Sequence, residues 1–519
     1  MKFDLADSFN HKIKTVDELV KILGNFPRKD TVIMCHGVFD VVHPGHLRHL
    51  LFAKNKAPIL VVSITADIHI NKGEYRPHIP EDLRAVNLAV LEFVDYVVID
   101  HNKTPVQNLL KIKPDIFTKG YEYSPDNQSF PQTSDEITVV TGYGGRVIFS
   151  PGDFVMSSSA YIKNTPPDIK IEKLLMLMKR SNINFSDLVK TLETFDGKNV
   201  HVIGDTIIDT QSRCVMVGGQ TKTPTLSVSL DEKIDYVGGA GIVAAHLKKA
   251  GAKVKISTVI GNDDLGKFAQ KTFKSWGVED LSILDYERPT TNKNDIVVGG
   301  YRLLKIDTVD NRTISDQQLK ILMESVSTSS SDALVFSDFR HGIFNKRTIP
   351  KFISAIPKNS FSVADSQVAS RWGNILDFPN FDLITPNERE ARFSLGDQDS
   401  GIRSIASELF SKSKCKMLIM KLSEKGILTC LNEDASTLDD YFVMDSFVSN
   451  LIDPVGAGDA LLAYSTLGML SSNNPVIASI LGNLAAACEC EVEGNIPISR
   501  ENVLNKIQLL DKHSTYGDV

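Results

Sequence analysis

Short apolar runs alternate with longer segments of helical periodicity along the first 163 residues. Residues 47–54 and 80–91 place apolar side chains three or four positions apart, which predicts amphipathic helices. Strands that alternate with helices predict an α/β domain with a doubly wound, parallel sheet, whose ligands bind beyond the carboxyl ends of the strands. The runs that predict buried strands lie at residues 31–35, 59–65, 96–100, 112–120 and 145–149.

The pattern is interrupted at residues 164–168, where two consecutive prolines predict a linker. Two amphipathic helices are expected within residues 169–195, and the apolar run from Val200 predicts the first strand of a second sheet. A chain of 519 residues is long enough for more than one hydrophobic core. We therefore predict a first domain at residues 1–163, a linker and helical segment at 164–195, and a second α/β domain at 196–519.

Composition and charge narrow the class of protein. The chain is 42% hydrophobic and 23% charged with a net charge of −7, so it lacks the basic surplus that favours nucleic-acid binding. No apolar run approaches the roughly 20 residues of a membrane-spanning helix, and the first residues lack the apolar core of a signal peptide. The cysteines are scattered except for Cys488 and Cys490, which fit core packing better than a metal site. We expect a protein of the reducing cytoplasm, with no nucleic acid and no membrane among its partners.

The most informative motif, GVFDVVHPGH at residues 37–46, follows the first predicted strand. A strand, a glycine-bearing turn and a helix direct backbone N–H groups and a helix N-terminus at an anion. His43 and His46 both stand at the start of that helix, so their imidazoles can face one phosphate group. The alternative, two surface histidines beside a turn, does not account for Gly37 and Asp40 in the same motif.

Further polar residues suit a nucleotidyl-transfer site. In this chemistry a phosphate oxygen attacks the α-phosphorus of a nucleoside triphosphate, so catalysis depends on positioning and charge stabilisation. His43 and His46 would donate hydrogen bonds to the triphosphate, and Lys72 would neutralise the charge that develops toward pyrophosphate. Hydroxyl and N–H groups at a predicted helix start would complete the phosphate contacts, at Ser157, Ser158 and Ser159.

Together these motifs resemble the nucleotidyltransferases with an HxGH signature, and most closely the adenylyltransferase domain of bifunctional ADP-heptose synthesis enzymes. The family patterns "NGVFDxLHxGH", "KGxxRP" and "VKGGDY" have counterparts at residues 36–46, 72–77 and 118–123. The resemblance covers about residues 15–163 and implies a Rossmann-like nucleotidyltransferase sheet. The nucleotide-binding residues that it implies are Gly37, Phe39, Asp40, Arg76, Lys119 and Gly120.

A glycine-rich octapeptide, DPVGAGDA at residues 453–460, marks the second domain. The backbone N–H groups of Gly456, Ala457 and Gly458 can form an anion hole for a transferring phosphoryl group, because they lie consecutively at the start of a predicted helix. Asp459 follows directly, where it can reach a hydroxyl whose proton must leave. The octapeptide therefore predicts phosphoryl transfer to a hydroxyl group.

The octapeptide resembles the signature of ribokinase-like (PfkB) sugar kinases, usually "DTxGAGD". The segments RPTTNK at 288–293, SDFRHG at 337–342 and TPNERE at 385–390 are similar to motifs of heptose kinases. The resemblance implies a ribokinase-like α/β domain with a small β-strand lid at residues 214–236, and such lids commonly form homodimers in this family. It implies sugar contacts at Asp209, Gly238, Gly239 and Lys293, and a nucleotide site at Asn387, Glu390 and Asn483. Asn387 and Glu390 would also help to hold Mg²⁺, partly through water.

Departures from the family patterns leave the sugar open. Pro454 stands where the signature has Thr, which removes one N–H but keeps the glycines. Gly241 replaces an alanine, and Ile242 stands where heptose kinases carry a sugar-contacting Asn. The domain order is also reversed, because the kinase comes first in the familiar bifunctional enzyme.

A kinase that makes a sugar 1-phosphate and a transferase that activates one would catalyse consecutive steps. We therefore expect phosphorylation of a heptose 7-phosphate at O1 by ATP with Mg²⁺, followed by nucleotidyl transfer to give ADP-heptose and pyrophosphate. A second hypothesis keeps both reactions with another sugar or with CTP. Residues 151–157 lack the arginine that CTP-using relatives often carry, which favours ATP. In a third hypothesis one domain is a silent nucleotide-binding scaffold, although both signatures retain their reactive residues.

Overall fold

The computed structural model describes residues 9–70, 77–120, 132–150, 170–218, 226–368, 372–432 and 441–514. The chain divides into two compact units, with the boundary between residues 169 and 170. Each unit has its own parallel sheet and its own hydrophobic clusters. Within the described ranges, no helix combines the length and the apolar character needed to cross a membrane.

The described part of the first unit contains one sheet of five parallel strands, in the order β3-β2-β1-β4-β5. Its strands are β1 (Val32–Gly37), β2 (Ile59–Thr65), β3 (Tyr96–Asp100), β4 (Ile116–Gly120) and β5 (Arg146–Ser150). Its helices are α1 (Val16–Leu23), α2 (Pro44–Lys54), α3 (Glu81–Ala89), α4 (Val106–Ile112) and α5 (Gln132–Gly142). The predicted doubly wound parallel sheet is confirmed.

Strand β1 lies at the centre of this sheet and carries the first motif at its carboxyl end. Its side chains alternate between the two faces: Ile33 and Cys35 belong to one buried cluster, Val32 and Met34 to the other. The strand order reverses between β1 and β4, which is where an open α/β sheet forms its ligand crevice. The sheet therefore places the motif at this crevice.

The second unit is built on a larger sheet, whose described strands run in the order β11-β9-β6-β15-β16-β17-β18-β19-β20. Its strands pair in parallel from β11 to β18, and β19 and β20 continue it in antiparallel fashion. The strands are β6 (Asn199–Gly204), β9 (Lys253–Ser257), β11 (Glu279–Asp280), β15 (Ala333–Asp338), β16 (Phe361–Ser366), β17 (Leu383–Ile384), β18 (Leu418–Lys421), β19 (Ile427–Cys430) and β20 (Tyr441–Met444). A short parallel pair, β10 (Val259–Gly261) and β12 (Ile283–Asp285), lies outside it.

A separate lid sheet consists of β7 (Thr206–Gly218), β8 (Ser227–Gly239), β13 (Asn292–Val298) and β14 (Tyr301–Thr308). Its order is β14-β13-β7-β8, with β13 parallel to β7 and the outer pairs antiparallel. The lid is larger than the flap predicted at residues 214–236, because β7 starts earlier and two further strands join it. The predicted fold class, a ribokinase-like α/β domain with a small β-strand lid, is confirmed.

Helices surround the main sheet and include the pair that we predicted beside the linker. Leu174 and Leu188 of this pair are buried in the main hydrophobic cluster of the second unit. The pair therefore packs as part of that unit. The helices are α6 (Lys170–Arg180), α7 (Phe185–Glu193), α8 (Ala240–Ala250), α9 (Asp264–Trp276), α10 (Asp316–Ser327), α11 (Ile349–Ala355), α12 (Glu388–Leu395), α13 (Ile402–Ser413), α14 (Ala457–Ser472), α15 (Pro475–Cys490) and α16 (Arg500–Ser514).

Phe336 of β15 lies at the centre of a buried aromatic group. Its ring centroid is between 5.5 and 6.4 Å from the centroids of four neighbouring phenylalanine rings. Edge-on contacts of this kind add to the apolar burial of each ring. The neighbouring rings are those of Phe344, Phe352, Phe378 and Phe381.

We expect Phe336→Ala to lower the free energy of unfolding of the second unit by about 3–5 kcal/mol, because the cavity cannot close around four rings. Urea unfolding of the full chain measures this value. As a control, Phe393→Ala removes a ring that is 39% exposed and should cost about 1 kcal/mol or less. Equal losses in the two variants would contradict the importance of the aromatic group.

Candidate active sites

The start of α2 places the two histidines of the first motif side by side. His43 is the N-cap residue, and its Nδ1 accepts the N–H of Gly45 at 3.1 Å. The rings of His43 and His46 stack with centroids 3.8 Å apart. His46 donates from Nδ1 to the carbonyl oxygen of Val41 at 3.1 Å, and its ring lies 5.0 Å from that of Phe39. The structure therefore brings His43, His46 and Phe39 together.

Both histidines favour the neutral state. Burial lowers the pKa of His43, and the charge of Arg48 lowers it further. Burial also lowers the pKa of His46, to about 4, with a further contribution from His43. Because Nδ1 of His43 is an acceptor, its proton lies on Nε2; because Nδ1 of His46 is a donor, Nε2 of His46 is free of a proton in the neutral ring.

Asp40 and Gly37 support the geometry of the motif. Asp40 is buried, and its Oδ1 accepts the N–H groups of His78 at 2.8 Å and Ile79 at 3.0 Å. This carboxylate therefore fixes the chain that follows the predicted phosphate-binding segment at residues 72–77. Gly37 ends β1, and a Cβ atom there would lie 3.1 Å from the ring of Phe39.

Lys119 and Gly120 end β4, at the same edge of the sheet as Gly37. Lys119 forms a buried ion pair with Glu136 of α5. Burial raises the pKa of Glu136, and the charge of Lys119 opposes this shift. The lysine is thus already partly compensated by a carboxylate. The other predicted residues of this site, Lys72, Arg76, Ser157, Ser158 and Ser159, lie outside the described residues.

Arg84 of α3 was missed by the sequence prediction. Its side chain is fully buried and donates to the carbonyl oxygens of Ile79 at 3.0 Å and Thr65 at 2.8 Å, and to that of Val38. It also pairs with Asp67 at 2.6 Å. One guanidinium therefore ties the motif to the end of β2 and to the turn before α3. A single arginine within the apolar pattern of residues 80–91 was the available signal.

In the second unit, the predicted anion hole lies at the start of α14. Gly456 is the N-cap residue with a φ of 85°, in the left-handed region that favours glycine. A Cβ atom there would lie 2.7 Å from Oδ1 of Asn495 and 2.8 Å from Oε1 of Glu489. The backbone thus requires glycine, and it places the N–H groups of Gly456, Ala457 and Gly458 at the helix N-terminus beside Asp459.

Asp459 lies among several buried charges. Its pKa is raised to about 8, chiefly by burial and also by the carboxylates of Asp365, Asp209 and Glu390, while Lys421 opposes the shift. The carboxyl group is therefore neutral at pH 7 before a cation or substrate arrives. These interactions also place the predicted sugar residue Asp209 near the predicted base.

The sugar side of the site joins the lid to the loop after α15. Asp209 of β7 accepts a hydrogen bond from Nδ2 of Asn495 at 2.9 Å. Gly238 gives Asp209 room, because a Cβ atom there would lie 2.2 Å from its Oδ2. Gly239 is the N-cap residue of α8, and Lys293 of β13 lies 5.3 Å from the ring centroid of Phe339. Burial raises the pKa of Asp209, and Lys293 is the cation that most opposes this shift.

The residues that were predicted to bind the kinase nucleotide make hydrogen bonds within the protein. Asn387 and Glu390 form the capping box of α12: Oδ1 of Asn387 accepts the N–H of Glu390 at 2.8 Å, and Oε2 of Glu390 accepts the N–H of Asn387 at 2.7 Å. Asn483 donates to the carbonyl oxygen of Asp445 at 2.8 Å. Burial raises the pKa of Glu390, and Lys421 opposes the shift.

The donor set suits a hydrated Mg²⁺ that arrives with the nucleotide better than an ion held by the protein alone. Carboxylate oxygens are the ligands that Mg²⁺ prefers, and Asp365, Glu390 and Asp459 provide them. Within the described ranges, however, no group of three or more His, Cys, Asp or Glu side chains has the arrangement of a metal site.

Three further residues of the second site were missed by the sequence prediction. Lys421 ends β18 and pairs with Asp365 at 2.8 Å. Glu489 is fully buried beside Gly456, since a Cβ atom on Gly456 would lie 2.8 Å from its Oε1. Asn495 contacts both Asp209 and the space beside Gly456. The signals were a lysine at the end of an apolar strand and a glutamate within an alanine-rich helix.

Two of the departures from the kinase family patterns, Ile242 and Pro454, differ in their surroundings. Ile242 of α8 is fully buried, so the position of the family's sugar-contacting Asn is part of the apolar interior here. Pro454 is exposed ahead of the anion hole. The glycines that follow it keep the arrangement described above.

Comparison with protein families matches residues 198–502 to the pfkB family of carbohydrate kinases. Residues 34–164 match a family described as cytidylyltransferase-like. These matches confirm the predicted combination of domains and their order along the chain. Among solved structures, phosphofructokinase-2 from Escherichia coli in complex with substrates and products has a TM-score of 0.50 at 17% identity and covers 60% of this chain and 99% of that chain. This likeness is one of fold alone.

Two similar curated proteins carry the name bifunctional protein HldE. The one from Sulfurimonas denitrificans is 25% identical over 322 residues, which are 60% of this chain and 64% of the relative. The one from Campylobacter concisus is 42% identical over 118 residues, which are 22% of this chain and 25% of the relative. The chain thus spans less than two thirds of the length of these relatives. Because the pfkB match at residues 198–502 covers more than half of the chain, the protein belongs to the pfkB family of carbohydrate kinases.

Proposed function

We propose that this protein makes a nucleotide-activated heptose in two consecutive reactions. In the second unit, ATP would phosphorylate a heptose 7-phosphate at O1. In the first unit, the resulting 1-phosphate would attack ATP to give ADP-heptose and pyrophosphate. The observation that carries the proposal is that one chain holds both a carboxyl group beside an amide anion hole and a stacked histidine pair at a helix start. The name of the two relatives, which calls them bifunctional, supports it.

In the kinase reaction, O1 of the sugar attacks the γ-phosphorus of ATP. The new bond joins O1 to phosphorus, the bond from phosphorus to the bridging β–γ oxygen breaks, and ADP leaves. Asp459 accepts the proton that O1 loses, while the N–H groups of Gly456 to Gly458 bind the transferring phosphoryl group. Asp209 would hold a sugar hydroxyl, since its Oδ2 already faces an amide donor of Asn495. Mg²⁺ bound to ATP would neutralise part of the phosphate charge.

The raised pKa of Asp459 suits a general base. A base works best when its pKa lies near the working pH, because it must both be available as the anion and bind the proton firmly. With a pKa of about 8, Asp459 is close to that condition. The arrival of a cation with the nucleotide would lower this pKa and produce the carboxylate when ATP is bound.

In the transferase reaction, a phosphate oxygen of the sugar 1-phosphate attacks the α-phosphorus of the triphosphate. The bond from the α-phosphorus to the bridging α–β oxygen breaks, and pyrophosphate leaves. His43 can donate from Nε2 in its neutral state, because Gly45 occupies its Nδ1. His46 becomes a donor at Nε2 only after it gains a proton, and the negative triphosphate favours that gain by raising its pKa above about 4.

The main alternative within this proposal is that the transferase uses CTP instead of ATP. The description cytidylyltransferase-like belongs to the family of the first unit, whereas the motifs at residues 36–46 and 72–77 favour an adenylyltransferase. Assays of pyrophosphate release should therefore compare ATP with CTP. A strong preference for CTP would overturn the ADP-heptose assignment while leaving the two-step scheme in place.

We also propose that two copies associate through the lid and work in a reducing compartment such as the cytoplasm. Several large apolar side chains of the lid sheet are about half exposed or more, which is unusual for a surface without a partner. No disulfide joins the cysteines of the described ranges, which is consistent with a reducing compartment. The exposed lid residues are Val215, Met216, Val217, Leu226, Leu230, Tyr301, Leu304 and Ile306.

We expect the double change Leu230→Glu and Leu304→Glu to convert the dimer into a monomer, because buried carboxylates would replace apolar contacts. Light scattering coupled to size-exclusion chromatography measures the mass. The control Ile321→Glu changes a residue of α10 that is 45% exposed and should leave the dimer intact. A wild-type monomer at micromolar concentration would contradict the proposal.

Separate substitutions should remove the two activities independently. Asp459→Asn should lower sugar phosphorylation by at least about 10³-fold, because it removes the proton acceptor, and should leave pyrophosphate release from a supplied sugar 1-phosphate unchanged. His46→Ala should do the reverse. Mass spectrometry of products from ATP, Mg²⁺ and a panel of sugar phosphates reports both steps. If neither substitution changes turnover, the enzymatic proposal fails.

The Asp459→Asn variant should also be more stable than the wild type above pH 5. The folded pKa of Asp459 is raised from 3.8 to about 8, so the folded state loses stability as the pH rises between these values. Asparagine carries no such charge, and the gain should reach on the order of 5 kcal/mol at pH 8 and vanish near pH 4. Urea unfolding at several pH values tests this. Asp264→Asn, which makes the same substitution at a fully exposed side chain, is the control.

A further inference from the structure

Lys421 brings a positive charge to the edge of the anion hole in the second unit. It is the last residue of β18, and its backbone N–H donates to the carbonyl oxygen of Pro386 at 2.9 Å. A Cβ atom on Gly458 would lie 3.2 Å from Nζ of Lys421. The amino group therefore lies beside the N–H groups that are expected to bind the transferring phosphoryl group.

The surroundings keep this amino group charged. The side chain is only 14% exposed, and Nζ donates to Oδ1 of Asp365 at 2.8 Å. A buried ammonium is screened less by salt and water than a surface lysine, so its field at a neighbouring phosphate is strong.

The ammonium group has donors to spare. An ammonium carries three N–H donors, and the contact with Asp365 is the hydrogen bond that Nζ makes within the described ranges. Asp365 is itself anchored, because its Oδ1 also accepts the hydroxyl of Thr385 at 2.9 Å. The ion pair thus fixes the lysine in place and leaves donors for an incoming anion.

We propose that Lys421 is a catalytic residue, whose ammonium group binds the phosphoryl group during its transfer from ATP to the sugar. This inference rests on the proposed sugar-kinase activity. The fixed charge of Lys421 would share the neutralisation of the phosphate with the Mg²⁺ that ATP brings. A charge held in place before the reaction needs no reorganisation during it.

The alternative is that Lys421 serves only to hold Asp365 and the end of β18. The two roles differ in what they do to a phosphoryl group in transit. A structural lysine supports ADP binding and folding alike, whereas a catalytic lysine affects the transferring group specifically. Aluminium fluoride with ADP mimics that group and separates the roles.

The experiment compares the full-length wild type with Lys421→Met and Lys421→Arg, using a sugar phosphate that the wild type phosphorylates. For Lys421→Met we expect kcat to fall about 10²–10³-fold, as for the loss of one donor to a developing charge. In the wild type, aluminium fluoride should tighten the binding of ADP in the presence of Mg²⁺ and sugar. In Lys421→Met this tightening should be at least about 30-fold smaller, while the affinity for ADP alone should stay within about threefold of the wild type. Lys421→Arg keeps the charge and should retain more of both properties.

Lys416→Met is the matched control. Lys416 precedes the same strand and pairs with Asp382 at 2.7 Å, but its side chain is 78% exposed. The Lys416→Met variant should therefore have the kcat and the aluminium fluoride binding of the wild type. Thermal unfolding of every variant in the presence of ADP identifies any loss of folding.

Two outcomes would overturn the inference alone. One is a kcat for Lys421→Met within about threefold of the wild type; the other is an equal loss of affinity for ADP and for ADP with aluminium fluoride. If Lys421→Met does not fold, a Lys421→Arg variant that is folded but loses aluminium fluoride binding and ADP binding together also overturns it. If the wild type phosphorylates no sugar phosphate, the proposed kinase function fails, and the inference fails with it.

Discussion

The kinase site depends on the burial of several carboxyl groups around one ammonium group. Asp365, Glu390 and Asp459 all act on the charge of Lys421, and each of the three carboxyl groups is at least nine-tenths buried. Isolated charges in such surroundings cost several kcal/mol each, so they persist only when they are paired or protonated. Lys421 pairs with Asp365, while burial and the neighbouring carboxylates raise the pKa of Asp459 to about 8, which favours its neutral form at pH 7. This group of buried charges lowers the stability of the folded state. It would suit the proposed reaction, in which ATP brings both a cation, Mg²⁺, and the anionic phosphates.

Glu489 is a further buried carboxyl group whose pKa is raised, and it lies beside the anion hole. Its carboxyl group lies under Gly456, and burial raises its pKa to about 8 with a further contribution from Asp459. An ionised carboxylate at this place would repel the phosphoryl group from the anion hole, so the neutral form is the one compatible with phosphate binding. The side chains of Asn495 and Glu489 pack closely against the backbone of Gly456. The same contacts therefore restrict the conformation of the loop and bury the carboxyl group of Glu489.

The sequence was most informative where the site is contiguous along the chain. His43 and His46 share one helix turn, and the segment from Gly456 to Asp459 forms one helix start, so local patterns were enough to find them. Lys421 and Arg84 come from other elements, and only the pairing of the strands decides where their side chains end. The lid was underestimated because β13 and β14 mix charged and apolar residues without regular alternation, and their pairing with β7 connects residues about 80 positions apart.

The two units differ in the charged groups that they would present to a phosphate. In the proposed kinase site, Lys421 provides an ammonium group held by Asp365, and Asp459 would have to lose a proton before it could act as the base. The transferase site holds neutral histidines, and His46 must gain a proton before it can donate from Nε2. The proposed roles therefore require His46 to gain a proton and Asp459 to lose one, in each case against the direction in which its pKa is shifted. In the proposed mechanism a charged ligand would supply that change, so each site would reach its active protonation state when its nucleotide binds.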